Sequence, residues 1–420
     1  MSDLIAVHGG LKEPVNRTVA AGETGEFKTR AASLPKLKIS DADLSSLYRM
    51  GDGGLSPLTG PMDGETYNRV LDNEVIVHQE KKYAWTIPIS FPVAEEELST
   101  VKRGAEVALV NSKNEIVGTL KVSDVFPFDR AKYVKGVYCT DRFDHPGGRM
   151  AEQETRGHLA GGEVRVLPMP KHPAYGEYLL TPAEARSLFN KKGWQRVVAF
   201  QTRNPLHRAH EYALVAGLER LTAAGHLTGA VLNPLVGETK GDDVDAVSRM
   251  RTYKALIDNK ALGQGDSDDA LWQKTGCPIS DRIILLGLDI KMFYAGPKEA
   301  IMHGIYRQNY GFTNIVIGRK HADAPYEDGK DIWDGLAAQR KFDELKGELL
   351  IQPVKIGFAA FYEELGRVGL VDEFGPKGYK QVSISGRDLR EQLRAGNLPD
   401  PRIMRPETAN VLIECMKAKG

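Results

Sequence analysis

The chain has 420 residues, of which 41% are hydrophobic and 27% charged, and its 56 basic residues are balanced by 56 acidic ones. This length favours roughly two or three domains, and the absence of net charge excludes binding of nucleic acid or an anionic membrane through overall charge. Any anion must be held by a local cluster of donors.

The cysteines are far apart in the sequence, at Cys139, Cys277 and Cys415, so neither a disulfide framework nor a cysteine-rich zinc site is expected. The first residues, MSDLIAVHGG, lack the basic segment and apolar core of a secretory signal. No stretch approaches the roughly 18 consecutive apolar residues of a membrane-spanning helix. We therefore expect a cytoplasmic protein.

Short β-like runs, separated by Gly, Pro, Asn and Lys turns, dominate the first part of the chain. They are EVIVHQE, YAWTIPISFPV, AEVALVN, EIVGTLKVSDVFPF, AKYVKGVYCT and EVRVLPM. Their spacing predicts a small β-rich domain, a barrel or a sandwich, over residues 1–170. Three prolines in RVLPMPKHP, residues 165–173, interrupt the pattern and indicate a linker.

After the linker, strands and helices alternate. The strand-like runs RVVAF, GAVLNPL, RIILLGL and TNIVIG are interleaved with helix-like runs such as TPAEARSLFNKKG, DAVSRMRTYKALID and GPKEAIMHGIYRQNYG. This order predicts a parallel, doubly wound sheet that binds ligands at the carboxyl ends of its strands. We expect the resulting α/β domain over residues 171–328, and a small C-terminal α/β domain, with a strand in ELLIQPV, over residues 329–420.

A polar segment, QTRNPLHRAH, directly follows the strand RVVAF. Asn204 is a favoured N-cap and Pro205 suits the first helical position, which would place unpaired backbone N–H groups at the end of the strand. His207 and His210, three residues apart, would share one face of the first helical turns. Together with the guanidinium of Arg203, this pattern predicts a site for phosphate groups.

The histidine pair has other interpretations. Two histidines at this spacing could simply lie on the surface or in the core of a helix. A zinc site is a further alternative, but HRAH lacks the spacing and the glutamate of the HExxH motif, and no cysteine pair is nearby. The position of the polar cluster, directly after a buried strand, favours the anion site.

A second loop of similar design follows the strand TNIVIG. Gly318, Arg319, Lys320 and His321 come at the end of that strand, and the glycine permits close approach of a ligand to the backbone. The segment could equally be a basic turn without a ligand. If the two strands are neighbours in a parallel sheet, the two loops face each other across one crevice and can bind several negative charges at once.

QTRNPLHRAH resembles the signature of the ATP-sulfurylase (sulfate adenylyltransferase) family, within the HxGH/HxxH nucleotidyltransferases. Further blocks in the family's order span most of the chain: GGLSPLTGPM, KGVYCTDRFDHPG, NPLVGETKGDDVDAVSRMRTY, FYAGPKEAIMHGIYRQNYG, IGRKHA, and ISGRDLREQLRAG followed by RPE. The resemblance implies a PUA-like β-rich N-terminal domain, a Rossmann-like nucleotidyltransferase domain and a small C-terminal α/β domain.

The resemblance also implies a reaction, in which ATP and sulfate give adenosine 5′-phosphosulfate and pyrophosphate, reversibly. Sulfate is fully ionised near neutral pH, so in-line attack on the α-phosphorus needs no general base and no covalent intermediate. Mg²⁺ would accompany ATP, held mainly by phosphates and water rather than by protein ligands. A homodimer is suggested, without a fused APS kinase domain because no GxxxxGK[ST] motif follows.

By the family's pattern, residues of both loops contact the substrates. The residues implied in catalysis are Thr202, Arg203, Asn204, His207 and His210. Sulfate would be bound by Gln201, Arg203 and the backbone N–H of Ala322. ATP would contact Gln201, Thr202, Arg203, Asn204, His207, His210, Gly318, Arg319, Lys320, His321 and, as a wall for adenine, Ile356.

Two segments depart from the family's pattern. The second loop usually reads GRDHAGPG and here reads GRKHADAP, so Lys320 replaces a carboxylate and Asp323 replaces a glycine. The C-terminal motif, usually ISGT followed by a basic residue, reads ISGRD, with Arg387 and Asp388. We expect that segment to be structural or to lie at a subunit interface.

Several other polar residues favour structural roles. Asp242, Asp243 and Asp245 could suggest a metal site, but their place at a loop-to-helix junction favours N-capping. We expect His8 and His145 to shape their loops.

Two other functions are alternatives. A related adenylyltransferase would attach AMP to a phosphorylated acceptor such as a nucleotide or pantetheine, whereas Gln201 and Arg203 at the strand end favour a small oxyanion. A nucleic-acid-binding protein acting through the PUA-like domain would show a strongly salt-dependent affinity for RNA. The neutral net charge and the intact HxxH motif argue against that function.

Overall fold

The computed structural model describes residues 4–237 and 244–418. The strands of its N-terminal region are β1 (Lys36–Lys38), β2 (Val75–His78), β3 (Lys81–Ala84), β4 (Phe91–Val93), β5 (Glu106–Val110), β6 (Ile116–Pro127) and β7 (His158–Val166). Five of them form one sheet in the order β1, β5, β6, β7, β4, and β2 pairs with β3 in a hairpin. The predicted β-rich N-terminal region is confirmed.

The same region contains helices that the alternation of strands and turns did not indicate. They are α1 (Thr24–Ala32), α2 (Asp41–Asp52), α3 (Gly64–Asn73), α4 (Arg130–Tyr138) and α5 (Pro146–Gln153). The run AKYVKGVYCT, predicted as β-like from its branched and aromatic residues, is α4. Its apolar residues Val134, Val137 and Tyr138 share one buried helix face, and the side chain of Asp129 caps the helix by accepting the N–H of Lys132.

The second sheet is parallel throughout, as the sequence predicted. Its strands are β8 (Arg196–Thr202), β9 (Thr228–Pro234), β10 (Ile283–Leu285), β11 (Asn314–Ile317) and β12 (Gln352–Lys355), in the order β10, β9, β8, β11, β12. The accompanying helices are α6 (Pro182–Lys191), α7 (Arg208–Ala223), α8 (Ala246–Asp258), α9 (Asp269–Thr275) and α10 (Gly296–Tyr310). The strand order reverses between β8 and β11, which is the position where such sheets bind ligands.

The strand that completes this sheet, β12, comes after residue 328, where we expected the α/β domain to end. It pairs in parallel with β11. Beyond it, β13 (Ala359–Tyr362), β14 (Arg367–Leu370) and β15 (Gln381–Val382) form a small antiparallel sheet in the order β14, β13, β15. The C-terminal helices are α11 (Ala337–Lys341), α12 (Val371–Phe374), α13 (Gly386–Arg394) and α14 (Pro406–Lys417).

A buried ionic cluster joins the C-terminal region to α7. Nε of Arg405 donates to Oε2 of Glu211 at 2.6 Å, and Nε of Arg208 donates to Oδ2 of Asp266 at 2.8 Å. Asp266 also accepts the backbone N–H of Val368, in β14, at 2.8 Å. Glu211 and Asp266 are buried, so these contacts fix the helix that carries the second histidine of the HxxH motif.

N-capping is confirmed for Asp245, whose side chain accepts the backbone N–H of Ser248 at 2.9 Å at the start of α8. Asp242 and Asp243 lie outside the described residues. Within residues 4–237 and 244–418, no group of three or more His, Cys, Asp and Glu side chains could hold a metal ion. In the same ranges, no helix has both the length and the apolar character needed to cross a bilayer.

His8 and His145, which we expected to shape their loops, both contact backbone groups through their rings. His145 caps α5, because its Nδ1 accepts the N–H of Gly148 at 3.1 Å. His8 is 1% exposed, and its Nε2 lies 3.0 Å from the carbonyl oxygen of Ala84. The backbone N–H of His8 donates to Oδ1 of Asn309 at 2.9 Å, so the start of the chain is attached to β3 and α10.

Candidate active site

A cavity of about 280 Å³ lies at the carboxyl ends of β8 and β11. The two strands are parallel neighbours, with Asn314 paired to Val198, so the condition set by the sequence is met and the two loops face one crevice. The cavity is lined by Phe200, Gln201, Thr202, Arg203, Asn204, His210, Leu235, Met292, Tyr294, Val316, Gly318, Arg319, Lys320, His321, Ala322 and Asp323.

All the predicted site residues except His207 and Ile356 line this cavity. His207 lies against His210, with the two rings stacked and their centroids 3.7 Å apart. Ile356 is buried, and its carbonyl oxygen accepts the side-chain amide of Gln339 at 3.0 Å. Contact between Ile356 and adenine therefore stays a prediction.

The helix after the first loop begins later than predicted. Asn204 is not its N-cap: α7 starts at Arg208, and the N-cap position is occupied by His207. Asn204 is held in the loop instead, because its backbone N–H donates to Oγ1 of Thr202 at 3.1 Å. The N–H of Arg208 donates to the carbonyl oxygen of Ile403 at 2.8 Å, so a contact with the C-terminal region occupies this donor of the first turn.

Arg203 is positioned by two residues that the sequence did not single out. Its carbonyl oxygen accepts Nη1 of Arg249 at 2.6 Å, and its guanidinium carbon lies 5.6 Å from the centroid of the Tyr294 ring. Arg249 is 1% exposed, and its Nε and Nη2 atoms have no hydrogen-bond partner among the described residues. Arg249 lies in the run DAVSRMRTYKALID, which predicted a helix, and in the block NPLVGETKGDDVDAVSRMRTY, which resembles the family; neither assigned this residue a role.

Both histidines of the HxxH motif are neutral at pH 7 in the ligand-free protein. Burial lowers the pKa of His207 to about 4, and burial together with the neighbouring His207 lowers the pKa of His210 to about 3. Nδ1 of His210 is buried and has no hydrogen-bond partner in residues 4–237 and 244–418. Negative charge brought close to these rings would favour their protonated forms.

The backbone of the second loop alternates in conformation. Lys320 and Ala322 have left-handed φ angles of 49° and 54°. Backbone hydrogen bonds hold them there: the N–H of Lys320 donates to Gly335 at 2.9 Å, and the N–H of Gly296 donates to Ala322 at 3.1 Å. Alternation of this kind directs successive N–H groups towards a bound anion. The amine of Lys320 bonds both carboxylate oxygens of Asp331, at 2.7 and 2.8 Å.

Two further charged residues of this loop line the cavity. The guanidinium carbon of Arg319 lies 4.2 Å from the centroid of the half-exposed Phe358 ring. Asp323 is the sole carboxylate among the described lining residues, and burial raises its pKa. Its Oδ1 has no hydrogen-bond partner in the described part of the chain. The cavity thus combines several cations with one poorly solvated carboxyl group.

Comparison with known proteins identifies two family models along the chain. A PUA-like domain model matches residues 5–169 and an ATP-sulfurylase model matches residues 176–415. The sulfate adenylyltransferase of Pyropia yezoensis is 47% identical over 423 residues, covering 100% of this chain and 99% of that protein. Those of Synechococcus sp. (strain JA-3-3Ab) and Trichormus variabilis are each 35% identical and cover 100% and 99% of this chain, and 98% of each relative.

A solved structure described as a hexameric APS kinase from Thiobacillus denitrificans has a TM-score of 0.71 and 21% identity, covering 98% of this chain and 68% of that chain. At that identity the likeness concerns the fold alone. The family-model match and the full-length relatives together show that the chain belongs to the ATP-sulfurylase family.

Proposed function

We propose that this protein is a sulfate adenylyltransferase in which sulfate attacks the α-phosphorus of ATP directly and in line. The reaction forms adenosine 5′-phosphosulfate and pyrophosphate, is reversible, and passes through no covalent intermediate. The observation that carries the proposal is the meeting of two cation-bearing loops at the crevice between β8 and β11, in a chain of this family.

Sulfate binding is assigned to the inner end of the two loops. A fully ionised oxyanion needs N–H donors rather than a base, and Arg203 and Gln201 offer a guanidinium and an amide. The N–H of Ala322 adds a backbone donor in the alternating segment. These cationic and dipolar groups offset the repulsion between sulfate and the α-phosphate, so that the two can approach in line.

The phosphates of ATP are assigned to the remaining polar residues of the cavity. Thr202, Arg203 and Asn204 would surround the α-phosphoryl group, and His207 and His210 would stabilise the charge that develops as pyrophosphate leaves. Because both rings are neutral before binding, their interaction with phosphate strengthens as that charge grows, which favours the transition state over the ground state. Gly318, Arg319, Lys320 and His321 would bracket the nucleotide, with Ile356 near adenine.

The divalent metal is part of the substrate in this proposal. Phosphate and water oxygens are the ligands that Mg²⁺ prefers, and the described lining offers Asp323 as its sole carboxylate. We infer that ATP arrives as its Mg²⁺ complex and that the protein contributes few or no direct metal ligands. A homodimer and the absence of a nucleic-acid partner belong to the same proposal and rest on the sequence resemblance and the neutral net charge. A cytoplasmic location is proposed from the isolated cysteines and the first residues of the sequence.

Exchange of labelled pyrophosphate into ATP tests the function. With Mg²⁺, exchange should require sulfate, because AMP must pass reversibly to a sulfate oxygen. Arg203→Ala should lower the exchange rate about 100- to 1,000-fold, the usual effect of losing one preorganised charge-stabilising donor. Arg203→Lys keeps the positive charge but not the paired N–H donors of the guanidinium, and serves as the matched variant. Its exchange rate should lie between those of the wild-type protein and Arg203→Ala. Thermal unfolding should be nearly unchanged in both.

Other outcomes would contradict the proposal. Exchange that fails with sulfate but appears with a phosphorylated acceptor would make the protein a related adenylyltransferase. No exchange with any acceptor, together with a strongly salt-dependent affinity for RNA, would support the nucleic-acid-binding function. Substantial turnover by a folded Arg203→Ala variant would refute the role of that residue.

A further inference from the structure

A line of three titratable side chains runs from the core to the cavity. Oε1 of Glu299 lies 3.3 Å from Nε2 of His303, an ion-pair contact without hydrogen-bond geometry, and Nδ1 of His303 lies within hydrogen-bond distance of Nε2 of His321, at 3.0 Å. Glu299 and His303 are buried, whereas His321 lines the cavity. Because its Nε2 is occupied by His303, the ring nitrogen of His321 left for a ligand is Nδ1.

The inner end of the line is held by the backbone. Oε1 of Glu299 accepts the N–H of Phe293 at 2.9 Å, and Oε2 accepts the N–H of Ala295 at 2.9 Å, just before α10. This carboxyl therefore also stabilises the start of a helix. That structural role does not explain why a buried imidazole, His303, connects the carboxyl to a residue of the cavity.

The position of the protons decides what His321 can offer, since a neutral imidazole carries one hydrogen. When Glu299 is ionised, its favoured partner is an N–H at Nε2 of His303; His321 then donates from Nε2, and its Nδ1 is bare. When Glu299 is protonated, its charge no longer holds the hydrogen at Nε2 of His303; with that hydrogen at Nδ1, His303 donates to Nε2 of His321, and Nδ1 of His321 carries the hydrogen. A phosphate oxygen, an acceptor, can be bound by the second form and not by the first.

We propose that Glu299 and His303 are positioning residues that determine which nitrogen of His321 carries a hydrogen, so that His321 presents an N–H to the phosphate groups of the nucleotide. The inference rests on the proposed function, because it assigns the cavity to a nucleotide. Binding then takes up one proton from solvent whenever Glu299 is ionised beforehand. Protonation of His321 itself would take up the same single proton.

The surroundings of the three side chains place the change between ionised and protonated Glu299 near neutral pH. Burial, partly opposed by the two backbone N–H groups, raises the pKa of Glu299 to about 7. Burial lowers the pKa of His303 and of His321, and the nearby Arg307 lowers both further. The other titratable or charged groups around the line are Tyr133, Tyr138 and Tyr306 near Glu299, each with a pKa raised by burial, and Arg203, Arg319, Lys320 and Asp323 in the cavity.

The pH dependence of nucleotide affinity is the first test. In the wild-type protein, KM for MgATP should rise about tenfold between pH 6 and pH 8, since above pH 7 binding must take up a proton. In Glu299→Gln the carboxamide cannot ionise, so this rise should disappear. The ionisation of ATP affects KM equally in the two proteins, so it does not contribute to the difference between them. Tyr306→Phe, on the same helix, is the matched control and should keep the wild-type dependence; its hydroxyl has no hydrogen-bond partner among the described residues.

A spectroscopic test does not require turnover. In protein labelled with ¹⁵N-histidine at pH 8, addition of pyrophosphate should convert Nδ1 of His321 from the bare to the N–H form, with the signal assigned by its loss in His321→Gln. If Glu299→Gln fails to fold because it loses its backbone contacts, His303→Phe breaks the line while retaining the carboxyl. That variant should abolish the pH dependence of KM and raise KM at pH 6.

Equal pH dependence in wild type and Glu299→Gln, or an unchanged His321 signal when pyrophosphate is bound, would overturn the inference. Sulfate-dependent exchange accompanied by either result would leave the proposed function standing and remove the role of Glu299 and His303. Conversely, the expected change in the His321 signal without sulfate-dependent exchange would support the line of side chains and contradict the sulfate reaction.

Discussion

Gly318 occupies the point where β11 opens into the cavity. A Cβ built there would meet no atom of the described residues within 4 Å apart from those of its two chain neighbours, and its backbone is not in the left-handed region. We therefore expect Gly318→Ala to fold normally, with stability unchanged or raised by about 0.4–1 kcal/mol. The added methyl group would occupy space needed by the nucleotide, so KM for MgATP should rise by on the order of tenfold, equivalent to about 1.4 kcal/mol. Steady-state kinetics and thermal unfolding measure the two effects.

Gly25, in α1, provides a matched control, because a Cβ at this position would also meet no atom of the described residues within 4 Å apart from those of its chain neighbours and of its own helix backbone. Gly25→Ala should stabilise the protein to a similar extent and leave KM unchanged. If Gly318→Ala retains the wild-type KM, the nucleotide does not approach the backbone at this residue.

Most of the residues that line the cavity were predictable, because they follow two strands whose apolar runs are plain in the sequence. Gln201, Arg203 and His321 are of this kind. Tyr294, which lines the cavity, and Arg249, which contacts Arg203 from outside it, were not singled out. Both lie in blocks that resemble the family, but nothing in their local patterns indicates a ligand. Their contribution depends on how the sheet brings the two residues to Arg203.

At the scale of elements, the buried ion pair between Arg405 and Glu211 joins α7 to the C-terminal region. Arg405→Met would leave Glu211 buried without its partner, and we expect it to lower the free energy of unfolding by about 3–5 kcal/mol. Urea unfolding measures this change. Arg251→Met removes the exposed pair with Glu414, 2.9 Å long, which joins α8 to α14, and should cost less than about 1 kcal/mol.

A second substitution separates charge from packing. Adding Glu211→Gln to Arg405→Met removes the unpaired carboxylate, so the double variant should recover part of the lost stability. If the double variant is no more stable than Arg405→Met alone, the loss comes from packing of the long arginine side chain and not from the buried charge.

Two predictions about elements were wrong for the same physical reason. The pattern of AKYVKGVYCT favoured a strand, and Asn204 followed by proline favoured an earlier helix start. In both places contacts from elsewhere in the fold decide the outcome: the buried face of α4 packs against the core, and Ile403 accepts the N–H of Arg208. Such tertiary contacts override local propensity.

At the scale of the whole molecule, His8 makes stability depend on pH. Burial lowers its pKa to about 4, so below the unfolded value of about 6.5 the unfolded chain binds a proton that the folded chain does not. The stability contributed by the neutral ring is fully present above about pH 6.5 and is lost as the pH falls towards 4. Between pH 7 and pH 5 this loss amounts to about 2 kcal/mol.

We expect His8→Gln, which retains an N–H donor for Ala84, to reduce the drop in the urea midpoint between pH 7 and pH 5. His172→Gln, at an exposed position, is the control and should leave that drop unchanged. An equal drop in His8→Gln and wild type would show that His8 remains neutral, or becomes protonated, equally in the folded and unfolded chains.

The β-rich region and the parallel sheet were predictable because each has its own hydrophobic period. The placement of β12 was not, since the run ELLIQPV is compatible with either neighbouring sheet and only its pairing with β11 decides between them. Local periodicity indicates that a strand forms, whereas its partner is determined by packing across the whole chain.

The pairing of Arg405 with Glu211 spans 194 residues, and this separation has a consequence for biosynthesis. A ribosome adding roughly 5–20 residues per second would expose Glu211 on the order of ten seconds or more before its counter-ion is made. During that interval α7 cannot bury its carboxylate at low cost. The nascent chain therefore completes the contact between α7 and the C-terminal region only after residue 405 has emerged.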